Sequence, residues 1–252
     1  MLRPRIIPCL LMSKNGLVKT VKFQKPKYVG DPINAVKIFN EKKVDELIIL
    51  DIDASKNSKS PDLKKLEVIA NESRMPLTYG GGITTVEQAK NIISLGYEKI
   101  SISSYVLENI EIIDKIANAI GSQSVVVTVD YKKNFLTKKY NIFTLNGTIK
   151  HNKNIYDLVK KIEELGAGEI LFNSIDRDGT KIGYDINFAK EIRAKVNTQI
   201  SFMGGAKDVF DMENLIDNVG IVGAVAGSMF VFKGKFNAVL LSYQRPNKLI
   251  NL

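Results

Sequence analysis

The sequence predicts one (β/α)8 barrel, a TIM barrel of the α/β class, that takes up residues 1–252 as a single domain. Short β-branched segments alternate with longer helical segments, and eight such strands fit the 252 residues that this fold commonly uses. Motifs recur about half a chain apart, which indicates two half-barrels. No linker or change of composition divides the chain. A doubly wound open sheet remains the alternative, because one sequence does not give the strand order.

The predicted strands are short apolar runs bounded by glycine or polar residues. They lie at Arg5–Leu10, Glu46–Asp51, Leu77–Tyr79, Lys99–Ile102, Val125–Val129, Glu169–Phe172, Gln199–Phe202 and Ala224–Ala226. The predicted helices repeat apolar residues at helical spacing, at Pro32–Lys43, Asp62–Glu72, Val86–Leu95, Glu108–Ile120, Ile155–Leu165, Asn187–Val196 and Val209–Ile216. Asp31 before Pro32 is typical of a helix start, and Gly96 and Gly166 are typical of helix ends.

One irregular stretch, residues 131–153, mixes aromatic residues with lysine, asparagine and glycine. It follows the fifth predicted strand, and its pattern favours a hairpin-like excursion. A surface loop and a flap over the mouth of the barrel are both compatible with it.

The half-barrel repeat rests on three pairs of motifs. They are Gly80–Gly82 with Gly204–Ala206 at a spacing of 124, Asp51–Asp53 with Asp176–Asp178 at 125, and Ser103–Ser104 with Gly227–Ser228 at 124. A gene duplication of a four-strand unit would produce this spacing, and it favours a closed barrel.

Composition excludes several classes of protein. The single cysteine and the single histidine argue against disulfides, a multi-histidine metal site and a histidine-based triad, so we expect no metal and no cofactor. The net charge is +9, but the lysines are scattered, which favours solvated charge over nucleic-acid binding. An anionic small substrate or an acidic partner remains possible. With no long apolar run and no signal-peptide pattern, we expect a cytoplasmic protein that does not enter membranes.

Two glycine–serine constellations predict phosphate binding. They combine Gly81 and Gly82 with Ser103 and Ser104 in the first half, and Gly204 and Gly205 with Gly227 and Ser228 in the second. Glycines let the backbone approach a phosphate, and free N–H groups and hydroxyls can complete the cradle. One glycine cluster alone is more often a turn. The duplicated pair suggests one elongated substrate with two phosphates.

Three aspartates follow predicted strands and are candidates for chemistry. Asp130 ends the fifth strand on the face where barrel enzymes hold their active sites, and partial burial would raise its pKa toward a value suited to proton transfer. Asp51 and Asp178 are equally compatible with substrate binding and with Asx turns.

Four charged residues begin strands at the opposite end of the predicted barrel: Arg5, Glu46, Lys99 and Glu169. If they face inward, two cations and two anions meet on the axis. Ions are costly to bury there unless they pair, and composition alone favours four solvated strand starts.

Four segments resemble HisF, the cyclase subunit of imidazole glycerol phosphate synthase. They are residues 5–10, 45–52, 76–83 and the long motif at 164–185. The resemblance spans the whole chain and implies a (β/α)8 barrel paired with a HisH-type glutaminase. In that family, ammonia enters the bottom of the barrel and attacks a twice-phosphorylated nucleotide precursor at the top.

The resemblance assigns roles to residues of this chain. Asp130 matches one of two catalytic aspartates, and Arg5, Glu46, Lys99 and Glu169 match the family's ammonia gate. Lys19 matches a residue on the mobile loop after the first strand. The substrate-binding positions that it implies are Lys19, Asp51, Gly81, Gly82, Ser103, Ser104, Asp178, Gly179, Gly204, Gly205, Gly227 and Ser228.

The second catalytic aspartate of the family is missing. Where the family reads Cys-Leu-Asp, residues 9–11 of this chain read Cys-Leu-Leu. The third position is Leu11, whose side chain can neither give nor take a proton. Ser103, Asn173 and Met203 also depart from the family's usual asparagine, threonine and serine.

A retained gate beside an altered pocket indicates a HisF-like paralogue that receives ammonia but does not perform the standard cyclisation. Such paralogues are found in surface-polysaccharide pathways, where they furnish ammonia to a third protein, an amidotransferase that makes an acetamidino sugar. A working histidine-pathway cyclase is the main alternative. A non-catalytic role in activating the glutaminase overlaps with the paralogue. A HisA-like sugar-phosphate isomerase fits poorly, since it would need both aspartates.

Overall fold

The computed structural model describes residues 3–14, 16–246 and 249. Its strands are β1 (Arg5–Ser13), β2 (Gly16–Val21), β3 (Gln24–Gly30), β4 (Leu47–Asp51), β5 (Leu77–Gly80), β6 (Lys99–Ile102), β7 (Val125–Lys133), β8 (Tyr140–Thr144), β9 (Ile149–His151), β10 (Glu169–Ser174), β11 (Gln199–Met203), β12 (Gly223–Ala226), β13 (Phe232–Lys233) and β14 (Ala238–Val239). Its helices are α1 (Pro32–Glu41), α2 (Leu63–Glu72), α3 (Val86–Ser94), α4 (Ser104–Glu108), α5 (Ile112–Ile120), α6 (Ile155–Glu164), α7 (Ile186–Arg193), α8 (Val209–Val219) and α9 (Ser228–Val231), with a 3-10 turn at Ser122–Ser124.

Eight parallel strands close into a barrel, which confirms the predicted fold class and removes the open sheet. Their order around the ring is β1, β4, β5, β6, β7, β10, β11 and β12, and β12 pairs again with β1. Every strand therefore points its carboxyl end toward the same mouth, where barrel enzymes place their active sites.

Helix boundaries follow from local capping. The Asp31 carboxylate accepts the N–H of Asn34 at the start of α1, and Thr85 and Gln88 form a reciprocal capping box on α3, which satisfies otherwise free donors. The helices bury one face against the outside of the barrel, with Phe39, Ile92 and Ile192 fully enclosed. This outer layer is the main core, and a smaller apolar cluster fills the barrel interior.

The first strand is followed by a hairpin that the sequence pattern did not predict. Strands β2 and β3 pair antiparallel before α1 begins, so Lys19 lies on a strand rather than in a loop. The hairpin was missed because β3 is exposed along most of its length and lacks the apolar run by which strands are predicted. Among the described residues, β12 is followed only by the short helix α9 and the β13–β14 hairpin, rather than by a long eighth helix.

The predicted excursion at 131–153 is a three-stranded extension made of the end of β7 with β8 and β9. Its inner turn reaches over the mouth of the barrel. The Asn146 side chain donates to the Ile52 carbonyl at 2.8 Å, and the Leu145 N–H donates to Ser104 Oγ at 3.1 Å. The excursion thus lies over the cavity as a flap.

The half-barrel repeat is visible in the backbone, with a correction to its spacing. A Cβ added at Gly81 would overlap the Asp51 carbonyl, and one added at Gly204 would overlap the Ser174 carbonyl. The equivalent glycines are therefore Gly81 and Gly204, 123 residues apart, and not Gly80 and Gly204. Both adopt positive φ, +134° and +100°, which glycine tolerates without a steric penalty.

Candidate active site

A closed ring of four charges lies at the amino ends of the barrel strands. Arg5 donates to Glu46 at 2.5 Å and to Glu169 at 2.7 Å, and the Lys99 ammonium lies 3.2 Å from Glu46 and 2.9 Å from Glu169. Each cation contacts both anions. Glu46, Lys99 and Glu169 are each less than one-tenth exposed, so the four predicted residues meet on the axis and are not solvated strand starts.

Two hydroxyls complete the ring, and the sequence reasoning missed both. Thr78 Oγ1 donates to Glu46 at 2.8 Å, and Ser201 Oγ donates to Glu169. Both are buried polar residues in strands that are mainly apolar. A polar residue within such a strand was the sequence feature that could have predicted them. They give one oxygen of each carboxylate a second donor besides its cation, and such additional hydrogen bonds offset the cost of burying an ion pair.

The ring fixes the protonation states of Glu169 and Arg5. Burial alone would raise the pKa of Glu169, but the adjacent Arg5 and Lys99 charges overcome it and lower that pKa to about 2. Burial opposes the Arg5 charge in the same way, and the two carboxylates still raise the pKa of its guanidinium. Glu169 and Arg5 are thus both held ionised at neutral pH.

Above the ring, the barrel interior is a column lined mainly by apolar side chains (the apolar column), in which the buried hydroxyls of Ser101 and Thr128 hydrogen-bond to each other at 2.7 Å. Its apolar side chains are Ile7, Cys9, Ile48, Val126, Leu171, Met203 and Val225, with Leu11 and Leu50 packed against them. A small neutral molecule can enter such surroundings, whereas an ion would lose its hydration without a partner. The column leads from the ring to the mouth.

At the mouth the column opens into a cavity of about 470 Å³. Gly81, Gly82, Ser103, Ser104 and Asp130 line it, together with Leu11, Asp51, Thr128 and Asn173. The first predicted cradle and the predicted catalytic aspartate therefore share one cavity, of a size typical of small-molecule sites.

Asp130 is the carboxylate best placed for proton transfer. It ends the barrel part of β7, faces the cavity, and accepts the Asn173 side-chain N–H at 2.9 Å. Burial raises the pKa of Asp130 to about 7. The hydrogen bond from Asn173 lowers this pKa, and the nearby Asp178 charge raises it by a smaller amount. An acid of this strength is half ionised near neutral pH, as general acid–base catalysis requires. The Asn173 Oδ1 atom is buried without a partner, so the cavity holds a free acceptor beside Asp130.

Asp51 and Asp178 each accept hydrogen bonds from the loops around them through one carboxylate oxygen. Asp51 Oδ1 accepts the N–H groups of Asp53 and Ala54, an Asx turn. Asp178 Oδ2 accepts Thr20 Oγ1 at 2.7 Å and the Phe23 N–H at 3.1 Å, and so ties the first hairpin to the loop after β10. Burial raises the pKa of both.

The second cradle lies in a separate, small pocket of about 40 Å³. Its walls include Gly179, Gly204, Gly205, Gly227 and Ser228. Lys19 from β2 fills most of the room: its ammonium donates to the Cys9 carbonyl at 2.6 Å and contacts Gly227. Burial lowers the pKa of this amine. The pocket has space for a few waters, so a phosphate needs the β2–β3 hairpin to move outward.

Leu11 separates the two cradles and lines both pockets, as do Phe23 and Asn173. It pairs in register with Leu50 and packs on the apolar column. An apolar side chain therefore occupies the wall opposite Asp130 where the resemblance places a second carboxylate.

Within residues 3–14, 16–246 and 249, no group of three or more His, Cys, Asp or Glu side chains is arranged to hold a metal ion. No helix in that part of the chain is both long enough and apolar enough to cross a bilayer.

Comparison with known proteins gives consistent names. The family model described as histidine biosynthesis protein matches residues 5–237. The chain belongs to this family. A protein of Leptospira borgpetersenii named as subunit HisF of imidazole glycerol phosphate synthase is 53% identical over 98% of this chain and 96% of its own length. A Vibrio vulnificus protein named hisF3 is 53% identical over 98% and 95%. The HisF of Petrotoga mobilis is 37% identical over 100% and 99%.

These matches confirm that the chain is HisF-like, and the number in hisF3 is consistent with a divergent paralogue. Within the histidine biosynthesis family, names of the HisF type favour a cyclase-type subunit over the isomerase alternative.

The raised pKa of Asp130 gives a testable pH dependence. Between its unfolded value near 4 and its folded value of about 7, the folded chain holds a proton that the unfolded chain has lost. The free energy of unfolding should therefore fall as pH rises through this window. Asp130→Asn should remove that fall, so the variant should gain stability relative to the wild type at pH 8 but not at pH 4.

Denaturant unfolding at both pH values measures the difference. Asp157→Asn, at an exposed position on α6, is the matched control and should show the same effect at pH 4 and pH 8. A stability difference for Asp130→Asn that does not change with pH would contradict the assignment.

Proposed function

We propose that the chain is the HisF-type subunit of a glutamine amidotransferase complex and uses ammonia from a HisH-type glutaminase. We propose further that it supplies this ammonia for acetamidino-sugar synthesis on a surface polysaccharide. The observation that carries the proposal is the apolar column between the ring of Arg5, Glu46, Lys99 and Glu169 and the cavity at Asp130. The names of the relatives support the same complex.

The route of ammonia follows from polarity. The glutaminase hydrolyses the glutamine amide and releases neutral ammonia at the foot of the barrel. Lys99 blocks the axis through its contacts with Glu46 and Glu169, and an outward swing of this one side chain opens the ring while Arg5 still bridges the two carboxylates. The column then favours ammonia over ammonium, because its side chains include no carboxylate to pair with a cation.

The polysaccharide assignment rests on Leu11. The standard cyclisation uses two carboxylates, and at the position that the resemblance gives to the second one the cavity wall carries the apolar Leu11. Asp51 and Asp178 are each tied to the loops around them through one oxygen, and neither lies at the position of Leu11. Ammonia that is not consumed at the mouth is available to another enzyme.

A working histidine-pathway cyclase is the second candidate. Asp130 with a pKa of about 7 and two glycine–serine cradles favour it. Twice-phosphorylated substrate would then bind across both pockets, after the β2–β3 hairpin has withdrawn Lys19 from the second.

Deleting the gene tests which pathway the chain serves. We expect loss of acetamidino groups from the surface polysaccharide and no requirement for histidine. Complementation with Lys99→Met should fail to restore the acetamidino groups at low external ammonium and succeed at high ammonium. Lys161→Met, at an exposed lysine of α6, should restore them under both conditions. A histidine requirement would show that the cyclase alternative is correct.

The first cradle gives a second test, of phosphate binding. Gly82 has φ +68°, and a Cβ there would overlap the Lys59 carbonyl. Gly82→Ala should weaken binding of inorganic phosphate by about tenfold, because the backbone must shift away from the ligand. Titration followed by amide chemical shifts measures it. Gly96→Ala is the matched control, since Gly96 also has positive φ but no atom within 4 Å of the added Cβ. Equal weakening by both variants would remove Gly82 from the site.

A further inference from the structure

The net positive charge of the molecule comes from three hairpins at the mouth of the barrel. They comprise residues 14–30, 131–153 and 232–239, and are called the mouth hairpins below. Together they contain thirteen lysines and no aspartate or glutamate, and the rest of the chain has 23 basic and 27 acidic residues. Lysines that look scattered along the sequence are thus gathered by the fold, because all three hairpins follow carboxyl ends of barrel strands.

The described lysines of the mouth hairpins form no close ion pairs, although the buried Lys19 is near enough to Asp178 for the two charges to interact. Four instead lie over aromatic rings of the same hairpins: Lys27 over Phe232, Lys132 over Phe143, Lys133 over Tyr140 and Lys138 over Phe135. Such contacts orient an ammonium group without neutralising it.

Apolar tips accompany this charge. Phe135 is 83% exposed, Leu136 85% and Phe236 90%, and these are the most exposed large hydrophobic side chains of the described residues. A small anionic substrate in the cavity has no use for apolar groups at the tips of hairpins. Exposed aromatic and aliphatic anchors among uncompensated charges are typical of a surface that binds a macromolecule.

We propose that the mouth hairpins are the docking surface for an acidic protein, the enzyme that accepts ammonia as it leaves the barrel. This inference rests on the proposed function. An acidic rim on the partner would pair with the free lysines, and apolar pockets would bury Phe135, Leu136 and Phe236. The complex would seal the mouth, so that neutral ammonia passes between the two sites without gaining a proton from water. A bilayer would also bury the tips, but it would close the mouth against any acceptor, and the separate tips do not form the continuous groove that nucleic acid needs.

Binding measurements on the complex of this chain with its glutaminase test the surface. The probe is the purified amidotransferase that forms the acetamidino group in the same organism. The tip variant combines Phe135→Ser, Leu136→Ser and Phe236→Ser, and the charge variant combines Lys138→Glu, Lys139→Glu and Lys235→Glu. We expect each to raise the Kd by about tenfold or more, and added salt to weaken wild-type binding. Val68→Ser and Lys161→Glu, exposed on α2 and α6, are the matched controls and should bind as the wild type does.

Unchanged affinity in both mouth variants would overturn the docking surface. The docking surface would also be rejected if the mouth variants bound the amidotransferase as the wild type does but lost binding to phosphatidylserine vesicles or to a single-stranded oligonucleotide. Stimulation of the glutaminase by each variant checks that it is folded and assembled. The gene deletion separates the two ideas: a histidine requirement rejects the proposed function, whereas lost acetamidino groups with unchanged amidotransferase affinity reject the docking surface alone.

Discussion

The purified chain, given the bisphosphate precursor and ammonium salt, is expected to form imidazole glycerol phosphate about 10²–10⁴ times more slowly than a HisF with aspartate at the position of Leu11. That factor is the usual contribution of one acid–base group. Leu11 lines both pockets and faces the cavity with Asp130, so the position of the family's second catalytic aspartate carries no acid. Product formation followed by absorbance measures the rate, and ammonium salt removes any dependence on the glutaminase.

Restoring the carboxylate should raise this trace activity. Leu11→Asp places an acid between the cradles, where the resemblance puts the second catalytic aspartate. Leu50→Asp is a closely matched control, because Leu50 pairs with Leu11 in register, lines the same cavity and packs on the same apolar column. Only Leu11→Asp should increase the rate. An ordinary turnover number in the wild type would reject the paralogue, and no gain in Leu11→Asp would show that Ser103, Asn173 or Met203 also blocks the reaction.

Glu169→Ala is expected to lower the free energy of unfolding by about 3–5 kcal/mol at pH 7, the usual cost of removing one partner from a buried ion pair. Glu169 contacts Arg5, Lys99 and Ser201, so its loss leaves two buried cations with Glu46 alone. Denaturant unfolding measures the change. Glu164→Ala, which removes an exposed partner of Lys161, should change stability by less than about 1 kcal/mol.

The loss at Glu169 should depend on pH with a definite sign. The folded pKa of Glu169 is about 2, below its ordinary value of 4.5, so the unfolded chain binds a proton first as the medium becomes acidic. The stability that Glu169 contributes is complete above about pH 5 and disappears as pH falls toward 2. The difference between wild type and Glu169→Ala should shrink over the same range. A difference that stays constant would mean that the side chain acts through packing and not through its charge.

A ring with this much buried charge is not explained by stability. Replacing a whole buried ion network with apolar residues is often neutral or stabilising, and the apolar column directly above shows that this barrel can fill its interior that way. Under the proposed function, the ring is a polar closure that the Lys99 side chain opens.

The sequence by itself determined the features that depend on local pattern. Alternating apolar segments predicted eight barrel strands, because burial on both faces demands continuous β-branched runs. The predicted fifth strand placed Asp130 at the mouth, and the resemblance of the motif around Cys9 to HisF placed Leu11 where that family has an aspartate. The excursion at 131–153 followed from its own composition.

Only the tertiary structure decided the features that depend on barrel closure. Glu46, Lys99 and Glu169 are far apart in sequence, and their convergence with Arg5 depends on which face of each strand turns inward and on the stagger between strands. The same closure brings Thr78 and Ser201 to the ring and gathers thirteen lysines at one end. The β2–β3 hairpin escaped prediction because its stability comes from pairing with β1 and from Asp178, contacts that no local pattern encodes.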